Sequence, residues 1–143
     1  MKKIVVGVAF AMLWCFNCIG AMTAEDTIAS TLWLEARGEG REGIKAVASV
    51  IANRAKKSGK TYAFECLKAK QFSCWNDRAR DVPRNANGKA WEFCKSVARQ
   101  MVAGKFKPTN KATHYYNFHI CKPKWGSAMR DVVVIGNHRF GRV

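Results

Sequence analysis

Between Thr27 and Arg54 two helix-patterned stretches are separated by Gly38 and Gly40, and Glu35, Glu39 and Glu42 cluster around that break in a chain otherwise dominated by lysine and arginine. Asp26 or Thr27 can cap a first helix over about Ile28 to Ala36. The second runs from about Arg41 or Glu42 to Lys56, with Ile44, Val47, Ala48, Ile51 and Ala55 on one stripe and Gly59 as its stop. At ~100° per residue Glu35 points within about 20° of Ile28, so the apolar face of the first helix carries a carboxyl group. Lost hydration and the negative end of the helix dipole both disfavour a charged carboxylate there, the condition a general acid needs. The competing reading is a helix-terminal Glu paired with Arg37 or Arg41. Glu39 and Glu42 fall at the start of the second helix, where the dipole favours negative charge, and for Glu42 that structural role suffices.

The first 24 residues carry Lys2 and Lys3, an apolar run from Ile4 to about Phe16, and small residues through Gly20, Ala21 and Ala24, the layout of a secretory signal peptide. Cleavage is expected after Ala24, with Gly20 or Ala21 as alternatives; retention as an anchor is the rival, and only then does the chain meet a membrane. Residues 25–143 form one domain, expected in the periplasm or secreted. Cys66, Cys74, Cys94 and Cys121 remain, and an even number in an exported chain predicts two disulfides with the pairing open. A zinc site from His114, His119, Cys121 and His138 is the lesser alternative, because no spacing fixes its geometry; no metal or cofactor is expected. The formal charge of +15 becomes +13 without Lys2 and Lys3. That excess calls for a polyanion, and export favours anionic envelope polymers over nucleic acid, for which no module is visible.

From Thr61 to Asn87 the period is lost and the segment reads as irregular structure tied down by cysteines. Within it Gln71, Ser73, Trp75 and Asn76 look like a sugar cleft, where aromatic faces stack on pyranose rings and amides bond their substituents, whereas Phe72 reads as core. A further helix covers about Gly88 to Ala103, with Trp91, Cys94, Ala98 and Met101 inward and Gly104 as its stop. Ala112 to Phe118 reads as a strand. Val132 to Ile135, the turn pair Gly136-Asn137 and His138 to Val143 read as a β-hairpin. The class is therefore α+β.

Trp33-Leu34-Glu35-Ala36-Arg37-Gly38-Glu39-Gly40, then Glu42-Gly43, Val47-Ala48 to Asn53-Arg54, Gln71-Phe72-Ser73, Ala112-Thr113-His114-Tyr115-Tyr116 and Gly136-Asn137-His138-Arg139-Phe140, resemble the cell-wall hydrolase family of the SleB and CwlJ type, spore-cortex-lytic enzymes and related bacterial and phage hydrolases. The resemblance implies a helical core akin to lysozyme-like transglycosylases and Glu35 as the catalytic acid. It also implies peptidoglycan glycan strands as partner and lytic transglycosylase activity on the β-1,4 bond after N-acetylmuramic acid. Glu39 is then either a neighbour that keeps Glu35 protonated or the second carboxylate of a hydrolytic muramidase. Tyr115, Tyr116, Gln71, Ser73 and Trp75 are expected along the groove, with Asn53 and Arg54 bracing the Glu-bearing loop. Rivals from other classes are a non-catalytic basic protein that coats envelope polymers and an amidase, which would want a metal or a Cys/His pair. A monomer is expected.

Overall fold

The computed structural model describes residues 22–76 and 80–143; the expected signal segment lies outside them. Among these residues four α-helices, α1 (Ala24–Ala36), α2 (Gly40–Ser58), α3 (Tyr62–Leu67) and α4 (Gly88–Val102), precede three strands, β1 (His114–Asn117), β2 (Arg130–Ile135) and β3 (His138–Arg142). The class is α+β, as expected. None of the described helices is long and apolar enough to cross a membrane.

α1 starts earlier than its pattern suggested, because Thr23 and Asp26 form a reciprocal capping box: the Thr23 hydroxyl accepts from the Asp26 N–H while the Asp26 carboxylate accepts from the Thr23 N–H. The helix is buried almost all round, packed against α2, α3 and α4. Its buried threonines are satisfied: Thr27 Oγ1 donates to the Thr23 carbonyl at 2.9 Å, and Thr31 Oγ1 donates to the Thr27 carbonyl at 2.7 Å and accepts from Trp75 Nε1 at 2.9 Å, while Ser30 Oγ is buried without a partner among the described residues. Ile28, Leu32, Ile44, Val47, Ile51, Val97 and Met101 fill the space between the helices, each fully buried Ile or Leu contributing roughly 1.5–3 kcal/mol. The α2 stripe faces inward as its period required, and Gly59 ends the helix at φ 70°, the left-handed conformation that glycine adopts without steric cost.

The sheet has the order β1-β3-β2, both pairs antiparallel, with β2 and β3 joined by the expected hairpin. The Val132-Val133-Val134 run is exposed on edge strand β2 rather than forming core; Phe140 on β3 supplies the buried aromatic.

Two expectations fail in the loop region. Residues 62–67 form α3, capped by the Thr61 hydroxyl, where irregular structure was expected; six residues are too few to show a period. The two-disulfide framework is also absent: Cys66, Cys94 and Cys121 are free thiols. Cys66 and Cys94 are fully enclosed in the helical core and act as small apolar groups, burial pushing both thiols up to about 12. Cys121 lies at the surface beyond β1.

Candidate active site

Glu35 lies in the last turn of α1. Neither arginine expected to neutralise it does so. Arg37 folds back along the helix, donating to the Trp33 and Leu34 carbonyls and covering the Trp33 ring at 4.4 Å; Arg41 covers Phe93 at 4.9 Å. Instead the Tyr115 hydroxyl donates to Glu35 Oε2 at 2.6 Å, and the Cys74 N–H reaches Oε1 at 3.4 Å. Tyr115 is clamped between Phe72 and Phe140, stacked on the latter with 5.3 Å between ring centres. Burial first, and the Glu35 charge next, push its phenol well above the usual tyrosine range, so it stays a proton donor toward Glu35.

A cleft of about 440 Å³ opens beside this pair, lined by Glu35, Tyr115, Gln71, Ser73, Asn76, Arg54, Lys70, His114 and Trp125. Glu35 is the only carboxylate among these lining residues. Lys70 takes φ 61°, turning the chain from α3 into the Gln71 rim; a side-chain-bearing residue held in that region is uncommon and clusters at functional sites. Arg54 enters from α2, donating through Nε to the Thr113 carbonyl at 2.6 Å with its guanidinium carbon 5.3 Å from the Phe72 ring centre.

Gln71, Ser73 and Tyr115 thus line the cleft as expected. Trp75 does not: it is core, with its indole N–H spent on Thr31. Tyr116 does not either; it packs edge-on against Trp125 at 5.6 Å. Asn53 braces a different segment, donating to the Asn110 and Ala112 carbonyls at 3.0 and 2.8 Å. Arg54, His114, Lys70 and Trp125 were not expected in the cleft. Arg54 was expected as a brace of the Glu-bearing loop but bonds the Thr113 carbonyl, His114 was singled out only as an alternative zinc ligand, and Lys70 adjoins Gln71, whereas Trp125 sits in a short 3-10 turn with no sequence signal.

Glu39 is the main correction. It is absent from the cleft lining and instead grips the β2–β3 turn: Oε2 accepts from the Asn137 N–H at 3.0 Å, and Oε1 faces Asn137 Nδ2 at 3.4 Å and His138 Nδ1 at 3.5 Å. The Asn137 N–H, outweighing partial burial, holds the carboxyl below its ordinary range, aided by His138. A Cβ on Gly136 would fall on Glu39 Oε2, and Gly136 takes φ 55°, so two independent requirements select glycine there. Among the described residues no three His, Cys, Asp or Glu side chains converge as metal ligands. His114 sits 5.2 Å from the Trp125 ring while His138 lies beside Tyr115, at 5.6 Å.

Comparison with curated proteins finds no match. Two solved structures share the fold. The catalytic domain of the germination-specific lytic transglycosylase SleB from Bacillus anthracis is 25% identical with a TM-score of 0.67, over 85% of this chain and 96% of that one. The catalytic domain of the Bacillus cereus SleB protein is likewise 25% identical, with a TM-score of 0.64 over 85% and 93%. The family model described as cell wall hydrolase matches residues 38–141, beginning just after Glu35 and taking in every other described residue of the cleft. With most of its length inside that match, the chain belongs to the cell wall hydrolase family.

Proposed function

We propose that this protein is a peptidoglycan lytic transglycosylase with Glu35 as its general acid and base. The observation that carries the reading is the placement of one carboxyl in a sugar-sized cleft, bonded by Tyr115 and with no second carboxylate among the described lining residues. Hydrolysis of a glycoside ordinarily divides the work between two carboxylates. Intramolecular transfer needs one. Glu35 protonates the glycosidic oxygen between N-acetylmuramic acid and N-acetylglucosamine as the C1–O bond breaks. The resulting carboxylate then takes the proton from the muramic C6 hydroxyl as that oxygen closes on C1, giving a 1,6-anhydro end and restoring the acid. Tyr115 anchors Oε2, so the more loosely held Oε1 is the oxygen that exchanges the proton. Gln71, Ser73 and Asn76 supply amide and hydroxyl partners for ring substituents, and Trp125 offers an aromatic face. Mass spectrometry of the products from purified sacculi tests this: anhydro-muramic ends are expected, and reducing muramic ends would replace the reading with a hydrolytic muramidase.

We further propose that the chain is exported and cleaved after Gly20 or Ala21. Removal through Ala24 would delete the Thr23 cap and Met22, which packs against the core. N-terminal sequencing of the exported protein decides it; a first residue of Glu25 refutes this site.

A further inference from the structure

We infer that a basic trough leading away from Glu35 binds the acidic stem peptide of peptidoglycan, so that the preferred substrate is a peptide-bearing glycan rather than a bare one. The catalytic cleft does not end at Arg54. Arg54, Gln71 and His114 also line a second hollow of about 290 Å³, whose far wall is Lys57, Ser58 and Lys68. Lys57 and Thr113 in turn line a third, of about 520 Å³, bounded by Arg130 and Arg142. Shared walls place the three hollows side by side in a series from Glu35 past α2 and α3 to the end of the sheet.

The charge along this path is one-sided. Arg54, Lys57, Lys68, Lys70 and Arg130 face it, and among the described residues none of the five has a carboxylate within ion-pair distance. Arg142, at the far end, is ion-paired with Asp131. Among the described side chains that line the path, the carboxylate besides Glu35 is Glu65, 2% exposed and accepting from the Ser58 hydroxyl at 2.5 Å. Arg54 keeps a buried Nη1 without any hydrogen-bond partner, an uncompensated donor beside the cleft.

The geometry of the substrate fits that arrangement. In the proposed reaction Glu35 acts at C1 of a muramic residue, and the stem peptide hangs from the lactyl group at C3 of the same ring. A peptide leaving the glycan there can turn past Arg54, Gln71 and His114, which the cleft and the second hollow share. Its free carboxylates then meet guanidinium and ammonium groups, the pairing that charge-assisted hydrogen bonds favour. The trough takes this place relative to the bond only if Glu35 is the glycosidase acid proposed above.

The test has a binding arm and a turnover arm. A soluble stem tripeptide with free carboxylates and its fully amidated form are titrated into the wild-type protein and into a Lys57→Ala/Lys68→Ala variant, both substitutions being at exposed positions, with binding followed by NMR. The wild type is expected to bind the free acid at least about fivefold more tightly than the amide, an advantage that shrinks with added salt and in the variant. Equal binding of the two peptides by the wild type, or undiminished discrimination in the variant, overturns the inference. In parallel, cleavage of intact sacculi is compared with cleavage of glycan strands stripped of peptide. Cleavage of both at the same efficiency also overturns it while leaving the transglycosylase reading intact. Carboxylate-dependent peptide binding with no cleavage of either glycan refutes the transglycosylase reading and leaves the trough as a peptide site.

Discussion

Glu35 and Glu39 stand four residues apart on either side of a glycine break, and their surroundings have almost nothing in common. Glu35 faces a cleft, with one oxygen on a half-buried tyrosine and the other on a distant backbone N–H. Glu39 faces the hairpin turn, with both oxygens occupied and a histidine alongside. A carboxyl that must exchange a proton with a ligand needs an open side; one that joins two parts of a fold needs its oxygens saturated. The break between α1 and α2 separates the two roles by turning the second carboxylate away from the first.

The largest expected effect is at Glu35. Glu35→Gln should reduce the clearing of purified walls by about 10³-fold, the scale of positioned acid–base catalysis, without moving the thermal midpoint. Turnover near wild type would erase the distinction between the two carboxylates.

Tyr115→Phe removes the one short bond to Glu35 while keeping the aromatic packing. A fall in kcat of about tenfold with KM little changed is expected, since the hydroxyl orients the acid rather than binding sugar. A change confined to KM would make Tyr115 a substrate contact instead.

Glu39→Gln should behave in the opposite way to Glu35→Gln. Loss of the charge-assisted contacts to the turn is expected to cost about 1–2 kcal/mol, seen in urea unfolding, with wall clearing per folded molecule within a few fold of wild type. Loss of clearing at unchanged stability would place Glu39 in the reaction.

The smallest effect is in the pH dependence of folding. Because the folded protein holds Glu39 below its ordinary value of 4.5, the unfolded chain binds the proton more readily. The contribution is complete above about pH 4.5 and disappears as pH falls through the lower folded value. Wild type and Glu39→Gln should therefore converge in stability on acidification; a gap that widens toward low pH would contradict the clasp.

The cysteines give a separate check on the core. Cys66 and Cys94, enclosed and with raised pKa values, should resist a thiol reagent in the native protein and react on unfolding, while Cys121 reacts at once. Thiols that never appear without reductant would restore the disulfide framework.

Much of this was legible in the residues themselves. The helix 40–58 and the helix 88–102 follow from apolar spacing and terminal glycines, and the hairpin from Gly136-Asn137 between strand-forming runs. The position of Glu35 on the apolar side of a helix also follows, because a 3.6-residue period sets direction locally. The remainder depended on contacts distant in sequence. Trp75 looked like a sugar platform until Thr31, 44 positions away, took its indole N–H into the core. Glu39 looked like a second catalytic acid until Asn137, 98 positions away, claimed it. Cysteine number suggested disulfides, yet Cys66 and Cys94 serve as packing. Periodicity, capping and turn chemistry act over a few residues and can be read along the chain. Which polar group meets which partner, and hence which carboxyl is left open to a ligand, is set by how the hairpin closes on the helices, and only the assembled fold decides that.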